Sequence, residues 1–412
     1  MTFLATLAAV RRTTPKATAL RAAAATYSTT GPAASRRAAA SFLTLSFSGA
    51  GHLLSYHLGV AASLHRASGT NNHGSTCSGS GNGRRGKTEL MPAIRAVSGS
   101  SSGAIAATVF VRLPHRIEEY ADAFLAEGGR AFAILKEMLH VEERRLVAAV
   151  ADAGDGGGGE SNASRVEVLS PDQPAHHNTR RLNVSTPRRR SGSAVPPSLH
   201  VATTSCETGQ LRMFDFRPVH AEFRTISASW TNDELLEAVE ASCRIPQSFH
   251  PADVLESPLS GGALGALFGG GDGRGLTSTY PDGDGICIDD KWYVDGGIAA
   301  PAPPTPLDAV ENAIRVVISP ISGGPIKDNG RSRFADDELL QRKQSHRISP
   351  SDGTRRLLPF DLRLRGGLSV FPTVQNLRAL GISAGVASRD DLMRWYDAGR
   401  EDGEAFLNDL RL

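Results

Sequence analysis

A serine can act as a nucleophile where the backbone turns sharply beneath it, and Gly99-Ser100-Ser101-Ser102-Gly103 has the residues for such a turn. In a Gly-x-Ser-x-Gly pattern the two glycines let a strand reverse into a helix without clashes, which lifts the serine hydroxyl over the sheet edge. The same pattern arises by chance in chains rich in glycine and serine, so its flanks matter. The apolar, extended "AIRAV" (93–97) precedes it and the helix-like "AIAATVFVRL" (104–113) follows.

A serine nucleophile needs a base. Asp295 is the best-placed acid, at the end of the strand-like "KWYVD" and ahead of Gly296-Gly297. Beyond it only one histidine remains, His346, in the polar stretch "QRKQSHRISPSDG", which reads as mobile. A Ser-His-Asp triad is therefore not expected. The alternative is a direct Ser101–Asp295 contact. A free aspartate, with a pKa of about 3.9, is a poor base, so a dry site would be needed. Local sequence fits a turn former at Asp295 equally well.

Three small residues, Gly49, Ala50 and Gly51, sit between a β-like run and a helical run. Their bare N–H groups would attract negative charge, and a tetrahedral oxyanion beside Ser101 would be such a charge. A dinucleotide fingerprint is disfavoured, because Leu54 stands where a glycine or alanine is required and the first acidic residue of the chain is Glu89. His52 and His57 flank the loop and read as packing residues. Asp282-Gly283-Asp284 lacks the rest of a calcium loop. No metal or organic cofactor is called for.

The elements that must position these residues alternate as strand and helix. "FLTLSF" (42–47), "AIRAV", "LHVATTSC", "LRMFDF", "KWYVD" and "AIRVVIS" (313–319) read as strands, the last suited to a central parallel position. Helical periodicity runs through 52–67, 104–113 and about 116–150. Thr231-Asn232-Asp233-Glu234 has the form of a capping box opening a helix with Leu235, Leu236 and Val239. A last helix starts near Ser388 and Asp391 and puts Leu392, Trp395, Tyr396, Phe406 and Leu410 on one face. Gly399 and Gly403 share that face, each at a cost of about 1 kcal/mol relative to alanine. The alternation predicts an α/β fold with helices on both sides of a mainly parallel sheet.

Within 412 residues, glycine, serine and arginine concentrate in a few stretches. Residues 1–41 hold arginines with many Ala, Ser and Thr and no acid, the composition of a mitochondrial or plastid transit peptide or of a disordered tail. Residues 42–412 read as one domain, with low-complexity insertions at about 68–90, 151–198 and 257–285. With 45 basic and 43 acidic residues the chain gives no reason to expect a nucleic-acid partner. Four scattered cysteines form no zinc or disulfide framework, and no apolar run is long enough to cross a membrane, so membrane contact would be peripheral.

Taken in order, "LSFSGAGHLLSYHLGVA", "VSGSSSGA", "ISASWTNDELLEAVEASCRIPQSF" and "WYVDGGIA" resemble the patatin-like phospholipase domain. They are most similar to its animal-type branch related to adipose triglyceride lipase and adiponutrin, which "PFDLRLRGG" and "WYDAGREDGEAFL" also resemble. The resemblance implies a three-layer α/β/α sandwich and hydrolysis of acyl esters of glycerolipids at a membrane or lipid-droplet surface. By position, it implies Ser101 as nucleophile, Asp295 as base, and Gly49, Ala50 and Gly51 as the oxyanion loop. Leu54 and the pair Cys243-Arg244 depart from the family pattern.

Overall fold

The computed structural model describes residues 42–69, 92–127, 130–155, 196–216, 231–247, 249, 280–281, 283–310, 312–323, 345–351, 354–358, 361–364, 368–384 and 387–411. The transit-peptide reading of 1–41 falls outside these residues, as do most of the three insertions.

Eight strands form one sheet in the order β5-β6-β3-β2-β1-β7-β8, with β4 added to β3. They are β1 (Phe42–Phe47), β2 (Ala93–Ser100), β3 (Ser198–Ser205), β4 (Leu211–Phe216), β5 (Ile286–Ile288), β6 (Lys291–Asp295), β7 (Ala313–Ile318) and β8 (Ser345–Ile348). The run β3-β2-β1-β7-β8 is parallel, whereas β4, β5 and β6 pair antiparallel. The helices are α1 (Leu54–Gly69), α2 (Ser102–Arg112), α3 (Ile117–Glu127), α4 (Ala131–Asp155), α5 (Asn232–Cys243), α6 (Gly296–Ala299), α7 (Val374–Ala384) and α8 (Arg389–Arg411). A small hairpin joins β9 (Leu362–Arg363) to β10 (Ser369–Val370).

Alternation along β1 divides the two faces. Leu43, Leu45 and Phe47 enter the main core with side chains of α1, α2, α3, α4, α5 and α8. Thr44 and Ser46 point the other way and are also fully buried. What covers them, among the described residues, is an extended strap after α6. Its sequence, "PAPPTP" (301–306), is short of N–H donors, so its carbonyls need donors from elsewhere. The strands supply them: Ser46 and Ser98 hydroxyls both donate to Pro303 O at 2.7 Å, and Ser100 donates to Pro301 O at 3.0 Å. Thr44 donates to Asp308 at 2.5 Å, and Arg315 meets the same carboxylate at 3.3 Å. The strap that follows Asp295 is thereby tied to β1 and β2, the strands that carry the other candidate residues.

The capping box at α5 forms in both directions: Glu234 N–H donates to Thr231 Oγ1 and Thr231 N–H to the Glu234 carboxylate. His346 departs from its reading as mobile. It lies in β8, paired in parallel with Val316, and its ring packs 6.1 Å from that of Phe406. Ladder pairing orders a backbone whose polar side chains gave no sign of it. Among the described residues no helix is long and apolar enough to cross a membrane.

Candidate active site

Ser101 and Asp295, 194 positions apart, meet because β2 and β6 share one edge of β3. β4 occupies the other edge from Leu199 to Thr204. On the shared edge β2 runs parallel until Ser100 pairs with Ala202, and β6 runs antiparallel until Asp295 pairs with Thr203. The two strands thus point their C-terminal ends at each other across adjacent partner positions, about 3.3 Å apart along β3. There the Ser101 hydroxyl lies close enough to the Asp295 carboxyl to favour its ionised form.

The turn at Ser101 is strained. Its φ of 53° and ψ of −134° are an arrangement that non-glycine residues adopt at a cost of order 1–3 kcal/mol. Three features hold it. Ser101 N–H donates to Ser242 Oγ at 2.9 Å, and Ser242 Oγ donates on to Ala202 O at 2.6 Å. The flanking glycines admit backbone where any side chain would collide: a Cβ on Gly99 would lie 2.2 Å from Gly103 O, and one on Gly103 would lie 2.4 Å from Phe47 O. The turn then passes directly into α2, whose first residue is Ser102.

Asp295 is 5% exposed. Burial pushes its carboxyl up from an ordinary value of 3.8 to about 6, against the lowering effect of the Ser101 hydroxyl and the Gly297 N–H. The Gly297 N–H donates to Oδ1 at 2.7 Å, and Asp295 N–H donates to Arg244 O at 2.8 Å. Residue 244 therefore braces Asp295 through its backbone. Its side chain points elsewhere, with Nε donating to Asp284 O at 3.3 Å, so the Cys243-Arg244 departure leaves the brace intact.

Because the native state holds its proton more tightly than the unfolded chain, stability from this group is present near pH 4 and is lost as pH rises through about 6. Asp295→Asn, whose amide can still accept from Gly297 N–H, is therefore expected to be more stable than the parent at pH 8. Two pKa units at 1.36 kcal/mol each bound the gain at about 3 kcal/mol. Near pH 4 the difference should close. Urea denaturation at the two pH values measures it; an equal difference at both would mean that burial of charge at Asp295 costs nothing.

The Gly49-Ala50-Gly51 loop lies against Ser101: a Cβ on Gly49 would come 3.2 Å from Ser101 Cβ. Its three amides are not equivalent. Gly49 N–H donates to Pro301 O at 2.9 Å and Ala50 N–H to Ser102 Oγ at 3.1 Å. Gly51, with φ at 52°, has no acceptor for its amide among the described residues. Ser102 N–H, at the first turn of α2, likewise lies outside the helical ladder.

Sequence reasoning missed Ser242 and Ser102. Ser242 carried a usable signal, since it continues the buried stripe of Leu235 and Val239 as a polar residue on an apolar face. His57 is fully buried, pushed down to about 3 by desolvation and set edge-on to Phe47 at 5.7 Å, which suits a neutral packing residue. A Ser-His-Asp chain does exist, but away from this site. Ser198 Oγ lies 2.9 Å from His200 Nε2, and His200 Nδ1 lies 2.5 Å from Asp215. These residues belong to β3 and β4, and the cluster satisfies a buried histidine. Among the described residues no cluster of His, Cys, Asp or Glu could hold a metal ion.

Among solved structures the chain is similar to VipD from Legionella pneumophila, at 12% identity and a TM-score of 0.33, over 87% of this chain and 67% of that one. No curated protein matches it. The family described as patatin-like phospholipase matches residues 45–308, which is more than half of the chain and spans the Gly49 loop, the Ser101 turn and Asp295. The chain belongs to the patatin-like phospholipase family.

Proposed function

We propose that the protein is a serine hydrolase of glycerolipid carboxylic esters, of the triacylglycerol lipase or phospholipase A type. The observation that carries this reading is a strained Ser101 turned toward a buried Asp295 whose carboxyl is pushed up to about 6. Ser101 Oγ attacks the ester carbonyl and its proton passes to Asp295. Collapse of the tetrahedral intermediate expels the lipid alcohol, which takes that proton, and leaves an acyl-serine. Water then attacks the acyl group with Asp295 accepting its proton, and that proton passes to Ser101 Oγ as the acyl–serine bond breaks and the fatty acid departs. The amides of Gly51 and Ser102 are the donors left to hold the oxyanion, and Gly49 and Ala50 shape the loop around them. The likeness to the animal-type triacylglycerol lipase branch supports neutral glycerides as substrates, and the family description supports phospholipids.

A fluorophosphonate probe should label Ser101 in the folded protein, and lipid extracts treated with the parent should lose glycerolipid and gain fatty acid relative to Ser101→Ala. Mass spectrometry reads both. Folded protein that takes no label and leaves the extract unchanged would instead be a catalytically silent lipid-binding protein.

A further inference from the structure

Helix α7 carries apolar side chains on the face it turns to water as well as on the face it buries. At 100° per residue, Val374, Leu377, Arg378, Leu380 and Gly381 share the outward arc, whereas Asn376 and Ala379 are buried beneath. Val374 is 36% exposed and Leu380 is 42% exposed. The neighbouring 354–357 segment continues this surface: Leu357, 42% exposed, is pinned beside the helix by its N–H on Pro372 O, and Gln375 N–H donates to Thr354 Oγ1. Single exposed leucines need no explanation, but several on one arc mark a surface with an occupant.

Charge indicates the occupant. The helix has no acidic residue, and exposed Arg355, Arg356 and Arg378 border the apolar arc. The adjacent acid, Asp361, is paired with Arg356, which also lies over the Phe371 ring at 4.2 Å. The inward side of α7 packs on the candidate site: Ala379 joins Ala50 and Leu53 in one buried cluster with Ile382 and Trp395, and Ser383 O abuts Gly51. An apolar face rimmed by arginines suits a bilayer surface carrying anionic phospholipid, where the apolar side chains enter the headgroup boundary and the guanidinium groups meet phosphate.

We propose that α7 and residues 354–357 dock the protein on an anionic phospholipid surface, with the loop around Gly51 packed on the opposite side of the same helix. The proposal builds on the hydrolase reading, because such a surface would present the substrate. Binding can nevertheless be measured without turnover. The full chain carrying Ser101→Ala should sediment with vesicles of phosphatidylcholine and phosphatidylserine more than with phosphatidylcholine alone. Adding Leu357→Ser, Val374→Ser and Leu380→Ser together should weaken that partition at least about tenfold. Arg355→Gln with Arg378→Gln should remove both the phosphatidylserine preference and the salt dependence.

In the parent background the same substitutions should leave hydrolysis of a soluble short-chain ester unchanged. Vesicle binding by the triple variant equal to that of its parent would overturn the proposal. So would a parent that is dimeric and a triple variant that is monomeric, since the face would then belong to a second copy. Failure to cleave any ester, with vesicle binding as described, would sink the hydrolase reading and leave the docking surface standing.

Discussion

Replacing Asp295 by asparagine is expected to lower kcat/KM for ester hydrolysis on the order of 10⁴-fold, with Ser101→Ala losing about as much and the double variant losing little more. Near-identical losses are the signature of groups that act as one unit. The substituted amide can keep the Gly297 N–H bond, so the loop and the elbow should survive; what disappears is the acceptor for the serine proton. A polar side chain that only shaped the turn would cost far less. If Asp295 is the base, it must be ionised to accept the serine proton. With the carboxyl pushed up to about 6, kcat/KM should fall on the acid side with a midpoint near that pH and drop about tenfold per unit below it. Steady-state kinetics on a soluble ester across pH 4 to 8, with circular dichroism to check folding, measures all three. An Asp295→Asn enzyme retaining a tenth of parental activity would remove Asp295 from the chemistry.

Much of this arrangement is legible locally. The turn glycines, the capping box at Thr231 and the alternation of β1 are patterns a few residues long, and each forms where its pattern lies. The meeting of Ser101 with Asp295 is not local. It depends on β3 having one edge divided between a parallel and an antiparallel partner, and pairing between strands that far apart leaves no trace in either strand's own residues. The hydroxyls of Thr44, Ser46 and Ser98 show the same limit. In β1, Thr44 and Ser46 alternate with apolar residues, yet they are buried because the segment after α6 offers the Asp308 carboxylate to one and the Pro303 carbonyl to the other.

Gly399 and Gly403 reverse their apparent meaning. As residues within a helix they look like losses of about 1 kcal/mol each against alanine, but α8 crosses α1 at backbone contact. A Cβ on Gly399 would lie 2.1 Å from Tyr56 O, and one on Gly59 of α1 would lie 2.1 Å from Tyr396 O. Those carbonyls are helical backbone and cannot rotate aside, so the helices must part. Parting them breaks the bonds that the crossing supports, Tyr56 hydroxyl to Asp402 at 2.8 Å and Ser63 hydroxyl to Arg400 O at 3.0 Å, and separates the Tyr56 and Trp395 rings now 6.0 Å apart. Gly399→Ala and Gly59→Ala should each therefore cost more than about 3 kcal/mol despite the gain in helix propensity. Gly381→Ala in α7, where an added Cβ meets nothing within 4 Å, should be neutral or stabilising by up to about 1 kcal/mol. Urea denaturation of the three proteins tests the contrast, and equal stabilities would mean that the helices do not cross this closely. The crossing also bears on chemistry, because α1 starts three residues after Gly51. Where a Gly399 variant still folds, the displaced helix should drag that loop away from Ser101, so that kcat falls while Asp295 keeps its acid-side midpoint near 6.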